Sequence, residues 1–266
     1  MLDNATRALL GFTARQMTRS VKGWLFILLL FVPWGIALIL RLLIAKNVSV
    51  PLGGVTLYGM VVLFYVLGFL VPLSTLFFGV ALVADEVEGG TLPYVFGRPV
   101  RRERFFLARY ASTSLVLILG ACLCVAGTYA LAVSEAGVSA LGNELGTLAL
   151  DLSVVAAAVL VYTALFAFLG LLLKKPLFAA LIIGFGWENL VAWLPGFLKR
   201  LTLLFHLHTL LPHGSGPQGI VQQLLASTEG RATAVVFLAI YWALFLALSC
   251  LLIRRMEASA SEREGV

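Results

Sequence analysis

Charge is what this chain has least of. Only 12% of its 266 residues are Asp, Glu, Lys or Arg, about half the share found in an average soluble domain. No polar stretch is long enough to fold by itself, so a large soluble domain is excluded and one membrane domain over residues 1–266 is expected. Cysteine is also scarce: Cys122, Cys124 and Cys250, an odd number, each inside an apolar run. Residues two apart do not share a helix face, so Cys122 and Cys124 make a poor metal pair, and all three read as small apolar residues in helices. The chain lacks a G-x-x-x-x-G-K-[ST] phosphate loop, an H-E-x-x-H and a G-x-S-x-G, the motifs of nucleotide binding, zinc proteolysis and serine hydrolysis. GLLLKKP, residues 170–176, is only a basic helix end. No catalytic residue, metal or cofactor is expected in this polypeptide. The net charge of +6 is spread over short clusters beside apolar runs rather than one basic face, which argues against a nucleic-acid partner.

What the chain does have is apolar length. About 20 apolar residues in a helix cross a bilayer core. Six runs qualify: 24–43, 55–84, 106–133, 147–173, 177–194 and 232–253. The second is longer than a straight crossing needs and contains Pro72, so a tilt or kink is expected. The fifth is short. Unbroken apolar runs predict helices, because barrel strands would show alternation over about ten residues. The first run follows basic residues, as a signal peptide would, but exceeds the usual 7–15 apolar residues and reads as a retained helix. The expected fold is an all-α membrane protein with six transmembrane helices.

Basic residues orient it. Arg7, Arg15, Arg19, Lys22, Arg98, Arg101, Arg102, Arg104, Arg109, Lys174, Lys175, Arg254, Arg255 and Arg263 fall on one side of a six-span chain; Arg41, Lys46, Lys199, Arg200 and Arg231 fall on the other. The positive-inside rule then places both termini in the cytoplasm of a multi-pass protein of the inner or plasma membrane. Residues 3–22 place Arg15, Arg19 and Lys22 on one helical side, with Leu9, Leu10, Met17 and Val21 leaning to the other. That pattern predicts an amphipathic helix lying in the lipid interface.

One loop breaks the oily character. ADEVEGGTLPYVFGRPVRRERFF, residues 84–106, holds four acids, a Gly-Gly, two prolines and a cluster of arginines. Asp85, Glu86 and Glu88 end the second run, because carboxylates are costly in lipid. Gly89 and Gly90 permit a sharp turn. Thr91 can cap a new helix with Leu92 and Pro93 in its first turn. Tyr94 and Phe96 follow on an apolar face, and Arg98-Pro99 enforces extended backbone. The predicted helix over 89–98 is about two turns long, too short to be stable alone. It needs a membrane surface or a soluble partner's groove to pack on.

The run EVEGGTLPYVFGRPVRRERFFLARY resembles the loop between the second and third helices of ABC-2-type permeases, the membrane subunits of one class of ATP-binding-cassette transporters. WENLVAWLPGFLKRLTLLFHL, residues 187–207, is similar to the end of the fifth helix and the outer half-helices of such permeases. With the span number and length, the resemblance covers nearly the whole chain. It implies a coupling helix at 89–98 that docks on a separate nucleotide-binding subunit holding ATP and Mg. Glu86, Glu88, Gly89, Gly90, Thr91, Leu92, Pro93, Tyr94, Phe96 and Arg98 would form the contact. It further implies an exporter built from two permease chains, a second copy of this one or a paralogue. The alternative is a mechanotransmission or maturation factor that acts on a periplasmic partner without moving cargo.

Several polar residues fall within or beside the apolar runs. Glu188, next to Asn189, reads either as a transport-pathway residue or as a helix-to-helix hydrogen bond, since an intramembrane charge must face protein or water. Pro195-Gly196 is expected to end the fifth span, so that 197–212 re-enter or lie along the outer face as outer half-helices. His206, His208 and His213 are conceivable metal ligands, but His206 and His208 are wrongly spaced for one helix face and no Cys or carboxylate lies close, so they read as interfacial histidines. Asp151 is expected to complement the amino-terminal dipole of the fourth span. Trp24, Trp34, Trp193 and Trp242 read as interfacial or packing residues.

Overall fold

A computed structural model of the chain describes residues 20–46, 53–88, 102–134, 142, 145–173, 176–192, 198–211 and 230–264, with the backbone alone at 44–45, 83–88, 102 and 255–264. These residues are almost entirely helical. α1 is Val21–Ala45. α2 runs in three pieces, Gly54–Met60, Val61–Leu70 and Val71–Glu88, the middle one π-helical. α3 is Arg102–Val133 and α4 is Leu145–Leu172. α5 begins as an α-helix, Pro176–Leu181, and continues as a π-helix, Ile182–Val191. A single 3-10 turn, Leu198–Leu201, leads into α6, Leu203–Leu210. α7 is Arg231–Glu264.

Among the described residues, five helices are long and apolar enough to cross a membrane: Val21–Leu43, Gly54–Leu82, Glu103–Val133, Leu145–Leu172 and Arg231–Arg254. The chain is therefore a helical multi-pass membrane protein. The expected fifth span is present as a shorter apolar helix, Pro176–Val191, and residues 193–197, where it was expected to end, lie outside the described residues. The predicted interfacial helix over 3–22 lies outside them as well, up to the point where Ser20 caps α1 by accepting a hydrogen bond from the Gly23 N–H at 3.0 Å. Pro176 stands first in α5, where its missing N–H costs nothing.

α4 is the axis of the bundle. From Val154 to Leu169 it is buried on most sides, with Tyr162, Phe166 and Ala158 fully covered. Lipid tails are as apolar as leucine, so burying leucines does not by itself drive these helices together; close packing and interhelical hydrogen bonds do. α2 and α4 approach each other closely at two glycines. A Cβ at Gly79 would lie 3.0 Å from the Phe166 Cβ, and one at Gly170 would lie 3.1 Å from the Val80 carbonyl oxygen. α1 and α7 are the outermost helices and leave broad apolar faces exposed, among them Leu28, Phe31 and Ile39 on α1 and Val236, Ile240 and Leu244 on α7.

α1 leans on α3 through one ring. The Trp34 indole lies over Gly127, where any Cβ would stand 2.2 Å from it, and its Nε1 donates to the Cys124 carbonyl at 3.0 Å. Trp34 is thus a packing residue, whereas Trp24 is exposed. A second apolar cluster closes the end of the bundle where the chain leaves α2 and enters α3: Leu82, Phe106, Tyr110, Ala164, Ala167 and Ile253. Trp242 Nε1 donates to the Tyr110 hydroxyl at 2.9 Å, and that hydroxyl donates to the Leu160 carbonyl at 2.7 Å. Glu103 and Arg254 form a two-pronged ion pair across the same end.

Asp151 departs from expectation. It lies past the first turn of α4, which contains no acid. It is fully buried and accepts from the Tyr58 hydroxyl of α2 at 2.7 Å. A buried carboxylate is satisfied better by a directed O–H than by a distant dipole, so Asp151 is an α2–α4 link rather than a dipole partner.

Candidate functional site

Two helices carry a proline inside an apolar run, and the polar seam of the protein grows from them. A proline has no N–H to give the carbonyl four residues back. In α1 that carbonyl belongs to Leu29, four residues before Pro33. The Tyr65 hydroxyl, from the π-helical piece of α2, donates to it at 2.7 Å. In α2 the π register of Val61–Leu70 would point Pro72 at the Leu67 carbonyl, and the α register of Val71–Glu88 would point it at the Gly68 carbonyl, four residues back. The Asn189 Nδ2 of α5 donates to it at 3.3 Å, and to the Gly184 carbonyl of its own helix at 3.2 Å. In lipid no water can serve a stranded carbonyl, so a neighbouring side chain must.

The π-helical piece of α2 follows from the same proline. Val71 N–H reaches back five residues to Val66, and Pro72, having no N–H, cannot continue that pattern. Widened turns just before a proline relieve the clash of its ring with the preceding carbonyls. The π-helical piece of α5 packs against Phe166 of α4 at Gly184, where a Cβ would come within 2.9 Å of the ring.

Glu188 is next along the seam. It is only 3% exposed. Its Oε2 accepts from the Tyr162 hydroxyl of α4 at 3.0 Å and from the Leu204 N–H at 2.9 Å, and the Leu203 N–H is a further donor to the carboxylate. Thr202 accepts from the Phe205 N–H at 3.3 Å. The first N–H groups of a helix have no partner within it. Glu188 and Thr202 between them serve three consecutive ones at the start of α6, with the carboxylate at the positive end of that helix's dipole. Glu188 thus makes an interhelical hydrogen bond.

α6 is held on its other side by α7. His206 is fully buried, lies against the Phe237 ring with centroids 5.0 Å apart, and its Nε2 meets the Arg200 carbonyl at 2.9 Å. His208 is buried too. The two histidines are therefore packed within the bundle; His213 lies outside the described residues. Among the described residues, no group of three or more His, Cys, Asp or Glu could hold a metal ion.

Gly89, Gly90, Thr91, Leu92, Pro93, Tyr94, Phe96 and Arg98 all lie outside the described residues. Glu86 and Glu88 fall in the last turns of α2, where only the backbone is described. The structure thus brings together Glu188, Asn189, Tyr162, Tyr65 and two proline-freed carbonyls. The tyrosines were missed by the sequence reading. The signal was available: each intramembrane proline announces an acceptor four residues earlier, and each tyrosine in an apolar run is a donor in need of one. Compared with known proteins, the chain matches no protein-family model and no curated protein sequence.

Proposed function

We propose that this chain is the membrane-spanning permease subunit of an ATP-driven transporter of the ABC-2 type, an exporter that works as a pair of permease chains with a separate nucleotide-binding subunit. The default pair is two copies of this chain. α5 completes a sixth crossing, the predominance of Lys and Arg near the two termini, residues 98–109 and 174–175 puts both ends in the cytoplasm, and residues 89–98 form the coupling helix. ATP and Mg bind the partner, and this chain contributes movement rather than chemistry.

The observation that carries the reading is the run EVEGGTLPYVFGRPVRRERFF together with its setting. It joins α2 to α3, two helices long enough to cross a bilayer. Its flanks are anchored side by side, since Leu82 before it and Phe106 after it belong to one buried cluster with α4 and α7. A short apolar helix held by such a base is suited to receiving a push, because a displacement of the loop reaches four helices at once.

The test is co-purification from membranes. With Tyr94→Asp and Phe96→Asp together, the protein is expected to remain inserted while an ATPase that travels with the native chain is lost. An ATPase that stays bound to the double variant, or a native chain that never brings one down, overturns the proposal.

A further inference from the structure

The two intramembrane prolines are served in series. Tyr65 of α2 holds the Leu29 carbonyl of α1, and Asn189 of α5 holds the Gly68 carbonyl of α2. Both donors are side chains. Either bond can be released without unwinding a turn of its own helix, which is not true of a backbone donor. Once released, the carbonyl faces a proline ring instead of an N–H, and the helix at that point is joined by one hydrogen bond fewer. Sharp bends in helices concentrate at such positions.

The two halves of α2 are also held differently. Val71–Glu88 is fastened to α4 where Gly79 and Gly170 let the helices touch. Gly54–Leu70 carries the π-helical turns and bears Tyr65, the contact to α1. A bend at Pro72 therefore moves Gly54–Leu70 relative to Val71–Glu88, and the movement passes to α1 through Tyr65 and to the start of α4 through the Tyr58–Asp151 hydrogen bond.

We propose that Pro72 and Pro33 are hinges of a conformational cycle, and that Asn189 and Tyr65 are the latches that hold them closed in the state seen here. The hinges rest on the transporter reading only for what drives them.

The experiment is amide hydrogen exchange on the full-length protein in lipid nanodiscs, with and without the co-purified ATPase and nucleotide. Asn189→Leu is expected to raise exchange in residues 61–71 by up to about tenfold, the worth of one hydrogen bond. Pro72→Ala restores an N–H for Gly68, so in that background Asn189→Leu should raise it little. Tyr65→Phe with Pro33→Ala is the parallel pair for residues 25–33. With ATPase present, Pro72→Ala should keep the partner bound and slow nucleotide-driven movement at least tenfold. Equal effects of Asn189→Leu in both backgrounds would overturn the latch. Undiminished movement in Pro72→Ala would overturn the hinge. A native chain with no nucleotide response at all refutes the transporter reading instead, and the exchange pattern still decides the latches.

Discussion

Asn189 donates its side-chain N–H to the carbonyl of Gly68, the residue four positions ahead of Pro72. An amide on one helix thus stands in for the N–H that a proline removes from another. The same relationship joins Tyr65 to Leu29 ahead of Pro33. A polar residue in a bilayer and a proline in a helix are each unfavourable alone; placed opposite one another, each satisfies what the other lacks.

The stability of this arrangement is expected to be non-additive. Tyr65→Phe should cost about 1–2 kcal/mol, the value of a buried hydrogen bond left open at one end. In a Pro33→Ala background the cost should shrink toward zero, because Leu29 regains a backbone donor. Reversible unfolding in mixed micelles measures all four proteins of this cycle. Additive losses would mean that Tyr65 acts through packing alone.

Glu188 is expected to be replaceable by an acceptor but not by a hydrocarbon. Glu188→Leu leaves the Tyr162 hydroxyl and the first N–H groups of α6 buried without their shared acceptor, a loss of about 2–4 kcal/mol. Glu188→Gln retains an oxygen in the same place and should lose less than half as much. Thermal unfolding of the detergent-solubilised protein distinguishes them. A Leu variant as stable as the native chain would remove Glu188 from the role of α6 anchor.

The α2–α4 contact should resist any added side chain. Gly79→Leu would drive a branched group into Phe166 and the Thr163 carbonyl, 3.3 Å from the first added carbon. Overpacking of this kind costs about 1–3 kcal/mol. Gly35→Leu, on a helix position with no neighbour within 4 Å of an added Cβ, should be nearly neutral. Equal behaviour of the two variants in unfolding assays would contradict the packing described here.

The Glu103–Arg254 pair should orient rather than stabilise. Arg254 is 63% exposed, and exposed ion pairs contribute about 0–1 kcal/mol. Reversing either charge is expected to lower stability by less than 1 kcal/mol, and reversing both should restore it. Raising salt should weaken the effect. A loss of several kcal/mol from one reversal would show that the apolar cluster beneath depends on this pair.

Much of the fold was legible because membrane helices are read from length and apolarity. Runs 24–43, 55–84, 106–133, 147–173 and 232–253 correspond to the five long helices, with boundaries displaced by a few residues. Run 177–194 was legible as apolar and short. Pro72 was legible as a disturbance, though not as the end of a π-helical piece, since the form a bend takes depends on what packs beside it. Asp151 was misjudged because its partner, Tyr58, is far away in sequence. The cover over His206 was not legible for a similar reason: Phe237 belongs to α7.

The sequence by itself determined that the chain lives in a membrane, that helices cross it, that a proline disturbs the second of them, and that one polar loop separates the second from the third. Those properties depend on composition along a single segment, and lipid enforces them segment by segment. Only the tertiary structure decided which donors meet the carbonyls of Leu29 and Gly68, that Glu188 serves the start of α6, and that Gly79 and Gly170 let α2 and α4 touch. Such pairings join residues up to 121 positions apart. They follow from how helices rotate and cross, which no single segment encodes.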